Sequence, residues 1–153
     1  MPKITEIFLF ETPSQNAAAV QAVIPVTEIP SFLISGMEKL EKFMIESKLI
    51  PCDAPFVKIV PESENELSIT AGIAVAKSFE PKDGISCVEI PDGKKLICYY
   101  QGNNAEMGPT YDEIFAFAQQ RGLKPGKDIF EYYLNGTDFG VEKLLTKIVL
   151  PVD

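Results

Sequence analysis

An internal repeat constrains this chain more than any other feature. Phe43 and Phe117, Pro51 and Pro125, and Phe56 and Phe130 each stand 74 residues apart. One such coincidence means little, but three in a matching order of elements imply that the same unit is folded twice. Apolar residues at three- and four-residue steps predict a helix over Ser31–Ser47, with Leu33, Met37, Leu40, Phe43 and Met44 on its inner face. The same spacing predicts a second helix over Pro109–Arg121, carried by Tyr111, Ile114, Phe115, Phe117 and Ala118. Pro109 suits a first helical turn, and Gly122 suits the position just past the last one. Both helices leave through the same exit, Leu49-Ile50-Pro51 and Leu123-Lys124-Pro125.

Strands flank each helix. Ala19–Ile24 and Lys95–Tyr100 precede the helices, and Phe56–Val60 and Phe130–Leu134 follow them. Polar turns at Pro61–Asn65 and Asn135–Asp138 then lead to closing strands ending at Ile73–Val75 and Leu150–Val152, where the offset has grown to 77. Each half therefore reads strand, helix, strand, strand. The halves run over about 5–77 and 84–153 within a single domain of residues 1–153. Between them, Ser78–Asp92 is rich in turn signals, with Pro81, Gly84 and Pro91-Asp92-Gly93. A half this small cannot bury a helix and a sheet well by itself. The expected architecture is α+β with pseudo-twofold symmetry: a curved antiparallel sheet, two helices on one side, and a ligand cleft between the halves.

Composition removes several function classes. Lys plus Arg is 14 against 22 for Asp plus Glu, a net charge of −8, and no basic run is present, so direct nucleic-acid binding is not expected. The sequence has no histidine, which excludes a histidine triad, an imidazole base and a histidine metal ligand. Cys52, Cys87 and Cys98 are too scattered for a zinc or redox motif and are expected to be free thiols. Neither a signal peptide nor an apolar run of about 18 residues is visible. A soluble, cytoplasmic protein is expected, with no metal, no cofactor and no membrane partner.

Several stretches resemble the GyrI-like effector-binding domain. They are Cys87–Leu96, then Tyr100-Gln101-Gly102, then Thr110-Tyr111 on the second helix, Phe130-Glu131-Tyr132-Tyr133-Leu134, and the closing Leu145–Val152. In the first half, Thr70–Val75 is similar to that family's strand before the mid-chain loop. The resemblance covers nearly the whole chain and implies a twofold-repeated α+β fold with a ligand cleft. In that family the domain senses drugs in MerR-type and AraC-type regulators. It also occurs alone, in a gyrase-binding inhibitor and in hydrolases that open cyclopropane rings. Ile4–Ile24 reads as strands and loops, which leaves no room here for a helix-turn-helix. Where the family often has His followed by Gly-Pro-Tyr, this chain has Tyr100 and then Gly102-Asn103-Asn104.

Alternation along the Phe130–Leu134 strand places Phe130, Tyr132 and Leu134 on one face and Glu131 and Tyr133 on the other. The first set is apolar enough to lie beneath the helices, so Glu131 and Tyr133 are expected on the cleft side. A carboxylate buried there alone would cost on the order of several kcal/mol. Water, a lysine such as Lys143 or Lys147, a tyrosine hydroxyl or a cationic ligand could offset that cost. With the resemblance, the functional reading is preferred. Glu131 then serves as counter-charge, Tyr133, Tyr100 and Tyr111 supply ring faces and hydroxyls, and Met107 forms a lip.

The leading expectation is a stand-alone module binding apolar, aromatic, cationic small molecules. An alternative is a hydrolase of strained electrophiles in which Glu131 activates water and a tyrosine, Tyr133, positions the substrate, since a desolvated carboxylate suits acid–base work. A second alternative is a protein-binding modulator whose partner is another protein, with the acidic surface as its working part. The missing histidine, and the absence of tryptophan, favour binding.

Overall fold

The computed structural model describes residues 3–153. In chain order its strands and helices are β1 (Phe8–Thr12), β2 (Gln15–Pro25), α1 (Ile29–Ser47), β3 (Phe56–Pro61), β4 (Glu66–Val75), β5 (Ser86–Ile90), β6 (Gly93–Gln101), α2 (Gly108–Gln120), β7 (Ile129–Tyr133) and β8 (Leu145–Val152). The fold is α+β, with antiparallel strands and two helices. The chain forms two compact units, one of Pro13–Pro91 and one joining the residues up to Thr12 to Asp92–Asp153.

The two units repeat one plan. In the Pro13–Pro91 unit the strands run in the order β5-β2-β4-β3, with α1 between β2 and β3. In the other unit the order is β1-β6-β8-β7, with α2 between β6 and β7. Registers repeat as well. Val57 faces Ala71 across β3 and β4, and Glu131 faces Ile148 across β7 and β8, which preserves both the 74- and the 77-residue offsets. The edge strands are exchanged along the chain. β1 runs just ahead of β2 in sequence but pairs with β6, and β5 runs just ahead of β6 but pairs with β2.

The helix ends repeat too. Leu49 N–H donates to the Met44 carbonyl at 3.0 Å, and Leu123 N–H to the Ala118 carbonyl at 2.9 Å, closing each last turn. The residue before each donor is left-handed: Gly122 at φ +67° and Lys48 at φ +55°.

Each unit has its own apolar core. Leu40, Phe43 and Met44 of α1 pack on Ala18, Val20, Ala71, Ile73 and Val75. Gly36 permits the close approach: a Cβ there would stand 2.8 Å from a methyl of Val20. In the other unit Ile114 and Ala118 of α2 cover Leu96, Cys98, Tyr100, Ile148 and Leu150. Phe43 is buried, and its repeat counterpart Phe117 packs half-buried at the edge of that second cluster, with the Arg121 guanidinium 4.4 Å from its ring centre. Cys52, Cys87 and Cys98 are free cysteines, exposed, half-buried and buried respectively. No helix among the described residues is long and apolar enough to cross a membrane.

Candidate functional site

β7 carries Glu131 and Tyr133, and the register fixes which way they point. Glu131 is opposite Ile148, and Ile148 is opposite Cys98, so all three share one face of the sheet. Ile148 and Cys98 belong to the cluster packed under α2. Glu131 and Tyr133 therefore lie on the helix-covered face, not on the face turned away from the helix as alternation had suggested. Phe130 and Tyr132 take the other face, and Lys147 does too, with its ammonium 4.3 Å from the Tyr132 ring centre. The reason for the difference is that both faces of β7 are buried. Phe130 and Tyr132 are as enclosed as Glu131, so hydropathy alternation has no wet face to identify.

Glu131 is 9% exposed. Its two oxygens are held separately: Tyr133, two residues along the same strand, donates its hydroxyl to Oε1 at 2.8 Å, and Tyr111 from the first turn of α2 donates to Oε2. Hydrogen bonds to a charged acceptor contribute about 1.5–3 kcal/mol each, which offsets much of the cost of enclosing the carboxylate. Both phenols are held far above the usual tyrosine range, first by burial, then by the adjacent Glu131 charge, then by the hydrogen bond itself. Both therefore stay hydrogen-bond donors to Glu131, and neither suits proton transfer in either direction, since losing the proton would form the disfavoured phenolate. What they can do is orient.

A carboxylate offers roughly four acceptor positions, of which the two phenols fill two. A cation approaching the same group could use the others, with the Tyr111 and Tyr133 rings beside it.

Tyr111, Glu131 and Tyr133 are thus brought together, as the sequence reading grouped them. Tyr100 lies in the same row of that face, across Thr146 from Tyr133, and Met107 packs in the same unit. Both are buried in the cluster under α2, and the Tyr100 hydroxyl donates to the Asn103 carbonyl at 2.9 Å. Thr146, which sequence reasoning did not single out, sits across the ladder from Tyr133 and donates its hydroxyl to Asn104 Oδ1 at 3.2 Å. The register pairing is the only signal that would have pointed to it. Among the described residues no three Cys, Asp or Glu side chains cluster as a metal site. Cys98 is no ready nucleophile, since burial pushes its thiol above the usual range.

The repeat shows how particular this group is. The positions equivalent to Tyr111, Glu131 and Tyr133 are Met37, Val57 and Ile59, all apolar. The plan of strands and helices does not itself demand a carboxylate and two phenols. Only one unit carries them.

A family model described as the GyrI-like small molecule binding domain matches residues 5–153. The chain belongs to this family. Among solved structures, this GyrI-like domain is similar to the EcmrR C-terminal domain, with a TM-score of 0.80, 14% identity and 98% of each chain covered. EcmrR in its complex with DNA is longer: there the GyrI-like domain matches over 97% of its own length but spans only 57% of the relative. It also resembles SAV2435 bound to tetraphenylphosphonium, with a TM-score of 0.64, 15% identity and coverage of 97% and 94%. A hydrolase encoded by lin2189 from Listeria innocua is similar at a TM-score of 0.73 and 14% identity, with coverage of 99% and 93%. Identities this low show a shared fold. No curated protein sequence matches the chain.

Proposed function

We propose that this domain binds an apolar, aromatic cation at Glu131, with Tyr111 and Tyr133 holding the carboxylate in place. One observation carries the reading: a nearly buried glutamate whose oxygens are each fixed by a phenol that stays protonated. Such a group is preorganised and poorly hydrated. It gains from a weakly hydrated charge more than from a compact one such as an ammonium ion, which keeps its own water. The family description supports a small-molecule ligand, and the tetraphenylphosphonium complex of SAV2435 supports an aromatic cation.

The test is Glu131→Gln, which keeps the shape and an acceptor but removes the charge. Calorimetric affinity for tetraphenylphosphonium should fall by about 1.5–3 kcal/mol. Affinity for neutral triphenylphosphine oxide should change much less. Equal loss for both probes, or no loss for the cation, would sink the proposal. If the cation still binds but hydrolysis of a strained electrophile disappears, Glu131 acts on water and the hydrolase reading replaces this one.

A further inference from the structure

The Pro13–Pro91 unit contains a pocket of about 390 Å³ at the C-terminal end of α1. Its volume lies within the roughly 300–1,000 Å³ typical of small-molecule sites. Met44, Leu49 and Ile73 line it as buried residues, while Ile45, 78% exposed, stands at its mouth. The two ionisable residues in the lining, Glu41 and Asp53, are both acidic. Glu41 is one helical turn before Ile45, so its carboxylate and the Ile45 side chain share a helix face.

The repeat supplies an internal control for this pocket as well. Seventy-four residues further on, Glu41 and Asp53 become Phe115 and Lys127. The fold therefore does not itself require an acid at Glu41, whereas Asp53 accepts a hydrogen bond from the Ala54 N–H at 2.7 Å. Ile45 adds apolar surface at the mouth that a bound tail would cover.

We propose that this pocket is a second small-molecule site, one that takes an amphiphilic cation. The apolar tail lies against Met44, Leu49 and Ile73, and the charged head remains at the rim beside Glu41. The tail supplies most of the affinity through burial. The head, still largely in water, supplies selectivity through an exposed charge pair, which is a modest effect. The site does not depend on Glu131, which belongs to the other unit.

Methionine methyl NMR on the full chain tests the proposal, because Met44 lies in the pocket wall. Titrating hexyltrimethylammonium should shift the Met44 methyl signal saturably, with hexanol binding more weakly. Glu41→Gln should weaken the cation about threefold and leave hexanol unchanged. Ile45→Lys, at an exposed position that tolerates the change, should weaken the cation severalfold by setting a like charge at the mouth and removing apolar contact. Glu131→Gln should leave the Met44 titration as it was. A Met44 signal that never saturates overturns the proposal. So do equal affinities for the two probes, or an Ile45→Lys protein that binds normally.

Discussion

At the scale of single residues, the phenols around Glu131 make the domain's stability depend on alkaline pH in a definite direction. Tyr111 and Tyr133 are raised above their ordinary value of 10.0 in the folded protein, chiefly because burial disfavours the phenolate. In the unfolded chain both would titrate normally. Above that value the unfolded state therefore releases protons that the native state keeps. The stability these groups contribute is complete below the unfolded pKa and falls as pH rises beyond it. Urea midpoints measured at about pH 9 and about pH 11 should thus differ, with the higher pH less stable. Tyr111→Phe should lower stability at about pH 9, by roughly 1–3 kcal/mol, because one carboxylate oxygen loses its donor. The same variant should also show a smaller drop towards pH 11. A variant with an undiminished drop would mean that the pH dependence arises elsewhere.

At the scale of elements, the helix ends make an equally specific comparison. Lys48 and Gly122 hold equivalent left-handed positions after α1 and α2, but only the second is a glycine. A side chain in that conformation costs about 1–2 kcal/mol, part of which glycine returns as greater freedom in the unfolded chain. Lys48→Gly should therefore stabilise the protein by about 0.5–1 kcal/mol in urea denaturation. Gly122→Lys should do the reverse. Both helices were legible from three- and four-residue periodicity, and their starts at Ile29 and Gly108 came within two residues of expectation. Six strands were legible too, although β2 and β4 extend well beyond their apolar segments. By contrast, β1 fell in a stretch read only as strands and loops, and β5 lies in Ser78–Asp92, read as a turn-rich connection. The exchange of β1 and β5 was not legible. A strand's partner is set by long-range pairing, and nothing local in Phe8–Thr12 names β6. The face of β7 was hidden for a related reason: with both sides enclosed, neither of its alternating sets is marked as the outer one. Glu131, Tyr133 and Tyr111 could be grouped from sequence because Glu131 and Tyr133 alternate in step and the family resemblance brought in Tyr111 as an aromatic wall. Tyr100, grouped with them by type, shares their face of the sheet across Thr146, with its side chain buried under α2.

At the scale of the whole molecule, the net charge of −8 acts on any cation before it reaches a particular carboxylate. A field of that sign raises the local cation concentration and is screened over the Debye length, about 10 Å at 0.1 M salt. The contact proposed at Glu131 would be short-ranged and shielded from solvent, so salt should weaken it far less. The two contributions therefore separate experimentally. Raising salt from about 20 mM to about 500 mM should weaken tetraphenylphosphonium binding roughly two- to fivefold. Binding of neutral triphenylphosphine oxide should be nearly unaffected. Glu131→Gln should retain almost the same salt dependence on top of its lower affinity, since it removes one charge and leaves a net −7. If the salt dependence instead vanishes in that variant, the attraction is local to Glu131, and the distributed acidic surface contributes nothing to capture.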